Sequence, residues 1–343
     1  MVENNKGRGL TNVILSLHGL VIILLLAYFG KLLFIPLFFS FLIAVFLYPL
    51  CRWFENHGIH RLLSSILCIV VSLLVCGAIV FFVGSQFQHF LKDIPSLKDK
   101  LDALINNVQL WSKQHLDMDD DTQTNYLDKS VDGLISAVGF TVTSFLSLII
   151  FVTLSLFFIF YMLFYRNVFK NFILSFFGRS NKKKILEISS EVQSTTLAYI
   201  KGLLTEILIL MCLSCVTLLI IGVKYAILMA FFAGMFNIIP YIGIYTAALL
   251  NMLITFVDGH GEKSIAVLLC FIIIHIVDAN LITPLIVGKR IRINPLVTLI
   301  AVISGEIVWG IPGMFLFIPL AAIINIVFEK ISGVDTGHLK TIP

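Results

Sequence analysis

YAILMAFFAGMFNIIPYIGIYTAALLNMLITFV, Tyr225–Val257, is apolar almost from end to end, yet Asn237, Pro240 and Gly243 interrupt its middle. As one straight helix, its roughly 33 residues would reach about 50 Å, about 20 Å beyond what a hydrocarbon core requires. Ordinary tilt does not absorb that excess. The stretch is therefore expected to enter the membrane and turn back near NIIPYIG. Leu296–Phe328 has the same length and the same kind of interruption at Gly310, Pro312 and Gly313, so it is expected to bend near WGIPG.

The rest of the chain agrees with a lipid setting. Of 343 residues, 59% are hydrophobic and only 13% charged, against about 45–50% and about 25% in soluble domains. The apolar residues form long runs instead of alternating, which excludes a barrel and predicts an all-α polytopic membrane protein of about 7–8 segments, two of them broken or re-entrant hairpins. The other expected spans are Val13–Phe29, Leu32–Leu50, Ile66–Gly84, Val138–Tyr165, Leu203–Val223 and Ile265–Leu285. Five parts follow along the chain. Residues 1–87 hold the first helices, and 88–137 form an acidic, amphipathic helical insert outside the membrane. Residues 138–201 hold a span and the densest basic segment, 202–330 a transport core, and 331–343 a tail. No cleavable leader is expected, since apolar sequence resumes after Lys31.

Charge tests the bends. Basic loops stay on the cytoplasmic side. With Lys6 and Arg8 inside, the Arg52/Arg61 turn and the basic 166–201 region also fall inside, and the acidic insert falls outside. If 225–257 crossed once, Lys289, Arg290 and Arg292 would land outside, against the rule. If it turns back, they land inside. Both termini are then cytoplasmic, and the expected location is a bacterial cell (inner) membrane. The net charge of +4 reports topology and implies no nucleic-acid partner.

Irregular backbone within lipid survives only inside protein or beside a wet cavity, so two broken elements point to a substrate or ion site. Between them lies HIVDANLITPLIVGKRIRINP, His275–Pro295. Asp278 reads equally as a protonatable or cation-binding carboxylate, with Asn280 as its hydrogen-bonding neighbour, and as interhelical glue. Asn237 joins it at the first bend. Glu306, deep in its run, reads as a proton-handling group before a packed one; Glu206, which opens the fifth span, reads as an interfacial residue before a ligand. Pro240, Gly243, Pro284, Gly288, Pro295, Gly310, Pro312 and Gly313 are the expected break and gating positions. The six cysteines, including the Cys212-x-x-Cys215 pair, read as small packing residues, not a redox or metal motif. No phosphate-binding loop, HExxH or GxSxG is present, so no enzyme, metal site or cofactor is expected beyond a coupling proton or sodium ion.

Three blocks carry a family resemblance: FNIIPYIGIYTAALL (Phe236–Leu250), DANLITPLIVGKRIRINPL (Asp278–Leu296) and GEIVWGIPGMFLFIPLAAI (Gly305–Ile323). In order and spacing they resemble the signature blocks of the AI-2E transporter family, also labelled PerM-type permeases. The resemblance implies export of a small molecule of the autoinducer-2 type; other members are described as sodium or lithium/proton antiporters. It also implies homo-oligomers, pentamers among them. Three functions therefore stand: a gradient-coupled exporter of a small polar metabolite, a monovalent cation/proton antiporter, and an envelope interaction protein acting through residues 88–137.

Overall fold

The structure, a computed structural model, describes residues 18–19, 22, 25–116, 142–176, 182–239, 243–288 and 294–332. Pro240, Lys289, Arg290, Arg292, residues 117–137 of the expected insert and the tail after 332 lie outside the described residues. The described residues hold no strand. Among the described residues, these helices follow one another: α1 (Lys31–Asn56), α2 (Arg61–Leu116), α3 (Val142–Phe164), α4 (Arg166–Phe176), α5 (Lys182–Ile221), α6 (Ala226–Phe236), α7 (Gly243–Val257), α8 (Gly261–Val277), α9 (Pro295–Trp309) and α10 (Ile311–Ser332). Six stretches among them are long and apolar enough to cross a membrane: Lys31–Asn56, Arg61–Asp93, Ser147–Phe164, Lys182–Ile221, Gly261–Ile286 and Ile311–Lys330. The shorter apolar helices α6, α7 and α9 are limbs of the two broken elements. The chain is an all-helical polytopic membrane protein.

Both overlong runs break where the sequence places its interruptions. The first ends α6 at Phe236 and restarts α7 at Gly243. A Cβ on Gly243 would sit 1.9 Å from the Phe236 carbonyl oxygen, so only glycine lets the second limb start against the end of the first. The second run breaks at Gly310, whose φ of 66° and ψ of −147° belong to a region that is essentially glycine-only. Pro295 and Pro312 both stand in first turns. Pro295 follows Asn294, whose side chain accepts from the Leu296 amide at 2.9 Å. A proline at this position loses no helical hydrogen bond, so it starts a helix instead of kinking one.

By their internal contacts the residues form two compact units. One comprises Met1–Ile69, Phe151–Lys201 and Arg290–Pro343; the other comprises Val70–Ile150 and Gly202–Lys289. In the first, Leu47, Cys51 and Cys68 pack with Ile159 and Leu163, and Tyr199 packs with Val302 and Ile318. Cys51 and Cys68 are fully buried, as small apolar packing residues would be. In the second, the core is Leu210, Leu218, Leu228, Met229, Ala247 and Phe271 with their neighbours.

Two helices outrun their expected spans. Helix α2 continues without a break past Gly84, and α5 runs unbroken through the basic segment from Lys182. In the second unit, the extension of α2 is tied to connecting loops. Asp93 accepts from Lys224 Nζ at 2.7 Å and from the Tyr225 hydroxyl, and Lys100 Nζ lies 2.9 Å from Asp258 Oδ1. Phe90 meets the Tyr225 ring edge-on at 5.2 Å. Residues 93 and 100 are two turns apart, so one helix face carries both ties. The bond to Asp93 holds the Lys224 ammonium above the ordinary lysine range, and burial together with Asp93 pushes the Tyr225 phenol up. Because Lys224 is half exposed, Asp93→Asn is expected to lower stability only slightly. Thermal unfolding of the purified chain should show a small shift that shrinks as salt is raised.

Candidate functional site

In the second unit, α8 changes its winding at its C-terminal end. Residues Asp278–Ile282 and Pro284–Gly288 take wider turns in which each N–H reaches back five residues. Pro284 has no N–H to give, which removes one α-helical bond and favours the change. The Thr283 amide then bonds to the Asp278 carbonyl. On a regular helix, residues 278 and 283 would point about 140° apart; with i→i+5 bonding they share a face. The Thr283 hydroxyl accordingly lies 3.3 Å from Asp278 Oδ1.

The same hydroxyl lies 3.2 Å from Glu206 Oε1 on α5, and Asn237 Nδ2 at the end of α6 donates to that oxygen, also at 3.2 Å. Glu206 and Asp278 are each only 6% exposed. Four side chains from three elements thus meet in a cluster that holds two buried carboxylates. Thr283 has one proton and can serve one carboxylate at a time. The cluster therefore has more acceptor oxygens than donor hydrogens. In a low-dielectric interior, two facing carboxylates demand compensation from a proton, a cation or a donor-rich ligand.

Of the residues singled out from sequence, the structure brings Asp278, Glu206 and Asn237 together. It does not add Asn280, which is exposed and donates instead to the Ile276 carbonyl of its own helix at 2.7 Å. Glu306 is exposed on α9 in the other unit. Gly243, Pro284 and Gly288 lie at breaks or in widened turns of the site's own unit; Pro295, Gly310, Pro312 and Gly313 belong to the α9–α10 hairpin. Thr283 was not anticipated. A proline directly after a threonine, following an acidic residue on an apolar helix, was its available signal.

His275, one turn before Asp278, bonds through Nε2 to the Tyr245 hydroxyl at 3.0 Å, while its buried Nδ1 has no partner among the described residues. A shallow groove of about 490 Å³ along α5, lined by Thr205, Leu208, Ile209, Cys212, Leu213 and Val216, is apolar and does not include the carboxylates. Its residues follow helical spacing on an exposed face, as a lipid-facing stripe does.

A polytopic bundle with broken helices and a buried carboxylate pair is the architecture of a membrane transporter. The chain belongs to the AI-2E family of transporters, whose signature matches residues 17–333. It is similar to "Putative transport protein YrrI" of Bacillus subtilis, 26% identical over 329 residues, covering 90% of this chain and 89% of that one. It is also similar to YueF of the same organism, which carries the same style of name: 28% identical over 318 residues, covering 86% and 84% of the two chains. The AI-2 transport protein TqsA of Escherichia coli is 22% identical over 335 residues, covering 94% and 92%.

Proposed function

We propose that the chain is a secondary transporter that exports a small, hydroxyl-rich polar metabolite or signal of the autoinducer-2 type, driven by a proton or sodium gradient. The observation that carries this reading is the buried Glu206–Asp278 pair sharing the Thr283 hydroxyl beside a broken helix. An acceptor-rich cluster suits a ligand that brings donors, and hydroxyl groups of a small polyol supply them. The name of the TqsA relative supports the same substrate class. Charge bias supports placement in a bacterial inner membrane with both termini cytoplasmic, and the family supports a homo-oligomer, pentameric by resemblance.

The same surplus of carboxylate oxygens favours a second reading, a monovalent cation/proton antiporter, because oxygen ligands suit hard cations. One assay separates the two. Purified chain in liposomes, with an imposed pH or sodium gradient, is expected to move autoinducer-2 faster than empty liposomes. Sodium- or lithium-driven proton movement with no metabolite flux would replace the first reading with the second. No gradient-dependent movement of either would remove both.

A further inference from the structure

Helix α4 begins two residues after α3 leaves its apolar span. Its sequence, RNVFKNFILSF, is strongly two-sided. Val168, Phe169, Phe172 and Ile173 fall at i, i+1, i+4 and i+5, on one face of a helix. Asn167, Lys170 and Asn171 occupy the other, with Arg166 and Ser175 at its two edges. In a water-soluble protein the apolar face would turn inward. Here it is left uncovered by protein: these four residues are 60%, 50%, 67% and 42% exposed, and Asn167, Lys170, Asn171 and Ser175 are exposed as well, with only Arg166 and Leu174 half-buried.

The helix is anchored at its start. The Arg166 guanidinium is salt-bridged to Glu55 at the end of α1 and stacks over the Tyr48 ring at 5.3 Å. This clasp ties the start of α4 to the end of α1. An apolar stripe presented outward, next to the end of a membrane span, is covered by the bilayer at its interfacial level. The charge of the segment selects the lipid. From Arg166 to Lys184 the sequence holds Arg166, Lys170, Arg179, Lys182, Lys183 and Lys184 and not one aspartate or glutamate. Such a run attracts anionic headgroups.

We infer that α4 is an interfacial helix lying in the plane of the leaflet into which α3 emerges, with anionic phospholipid as its partner. Its apolar face sits about 5–10 Å into the headgroup–acyl boundary. Its lysines and those at the start of α5 enrich anionic lipid around it.

The test places a reporter on the stripe in the full chain, Phe169→Trp, with Val168→Trp as an independent second position. Both are reconstituted in vesicles of phosphatidylcholine with phosphatidylglycerol, and the wild-type signal is subtracted. Lipids brominated near the headgroup end should quench the added tryptophan several-fold more than lipids brominated near the acyl terminus. Brominated phosphatidylglycerol should quench several-fold more than equally abundant brominated phosphatidylcholine, and Lys170→Gln with Lys182→Gln and Lys183→Gln should erase that preference. Quenching by aqueous acrylamide and by neither lipid would place α4 in water and overturn the inference. Protection from acrylamide and from both lipids would mean that protein, such as a second copy of the chain, covers the stripe, and would overturn it equally. Equal quenching by the two headgroup classes would overturn the anionic partner.

Discussion

Glu206→Gln and Asp278→Asn are each expected to reduce gradient-driven flux by about 10- to 150-fold, the equivalent of the ~1.5–3 kcal/mol carried by a hydrogen bond to a charged group. The two residues meet the same Thr283 hydroxyl, so their effects should not add. Once one carboxylate is an amide, the cluster has lost the paired acceptors that call for a compensating ligand, and removing the second costs little more. Thr283→Val should fall between wild type and either carboxamide variant, because it removes the shared donor but leaves both charges. Asn280→Ala provides the control: its side chain is exposed and bonded to its own helix, so flux should stay near wild type. The measurement is initial-rate flux in proteoliposomes, normalised to inserted protein. Full flux in both carboxamide variants would remove the cluster from the transport path.

The two bends were legible from the sequence, because length against bilayer thickness is arithmetic and Pro and Gly act locally. Asp278 was legible as a charge in an apolar helix. Its partners were not. Helical spacing of 3.6 places residues 278 and 283 on different faces, and only the wider winding around Pro284 brings them together. Glu206 comes from a helix far earlier in the chain, and no local pattern pairs it with Asp278. Its interfacial reading took account of its place at the start of an apolar run, but α5 begins well before that run, at Lys182. Asn280 shows a different error. Residues two apart on a helix do not face each other, so its separation from Asp278 was foreseeable. Helix α2 shows what hydropathy alone reports. Falling hydropathy after Gly84 marks a change of solvent, and the helix continues through it to Leu116.

Gly305→Ala is expected to destabilise the chain by at least about 1–3 kcal/mol, the usual range for overpacking a close contact, and to reduce the accumulation of folded protein. The reason lies in how α9 and α10 meet after the Gly310 turn. A Cβ on Gly305 would lie 2.2 Å from the Gly313 carbonyl oxygen, and a Cβ on Gly313 would lie 2.0 Å from the Gly305 carbonyl oxygen. The obstacle on each side is backbone, so no rotamer change relieves it, and the limbs must separate. Separation would also loosen Val302 and Ile318, which pack together with Tyr199. Small residues that let helices touch backbone to backbone are the usual source of tight association where lipid supplies no hydrophobic drive. Gly77→Ala on α2 is the matched comparison. Nothing lies within 4 Å of its added Cβ, and an alanine inside a helix gains about 0.5–1 kcal/mol over glycine. Thermal unfolding in detergent, with membrane yield measured alongside, should therefore move the two variants in opposite directions. Equal stability of Gly305→Ala and wild type would mean that the two limbs do not cross at Gly305 and Gly313.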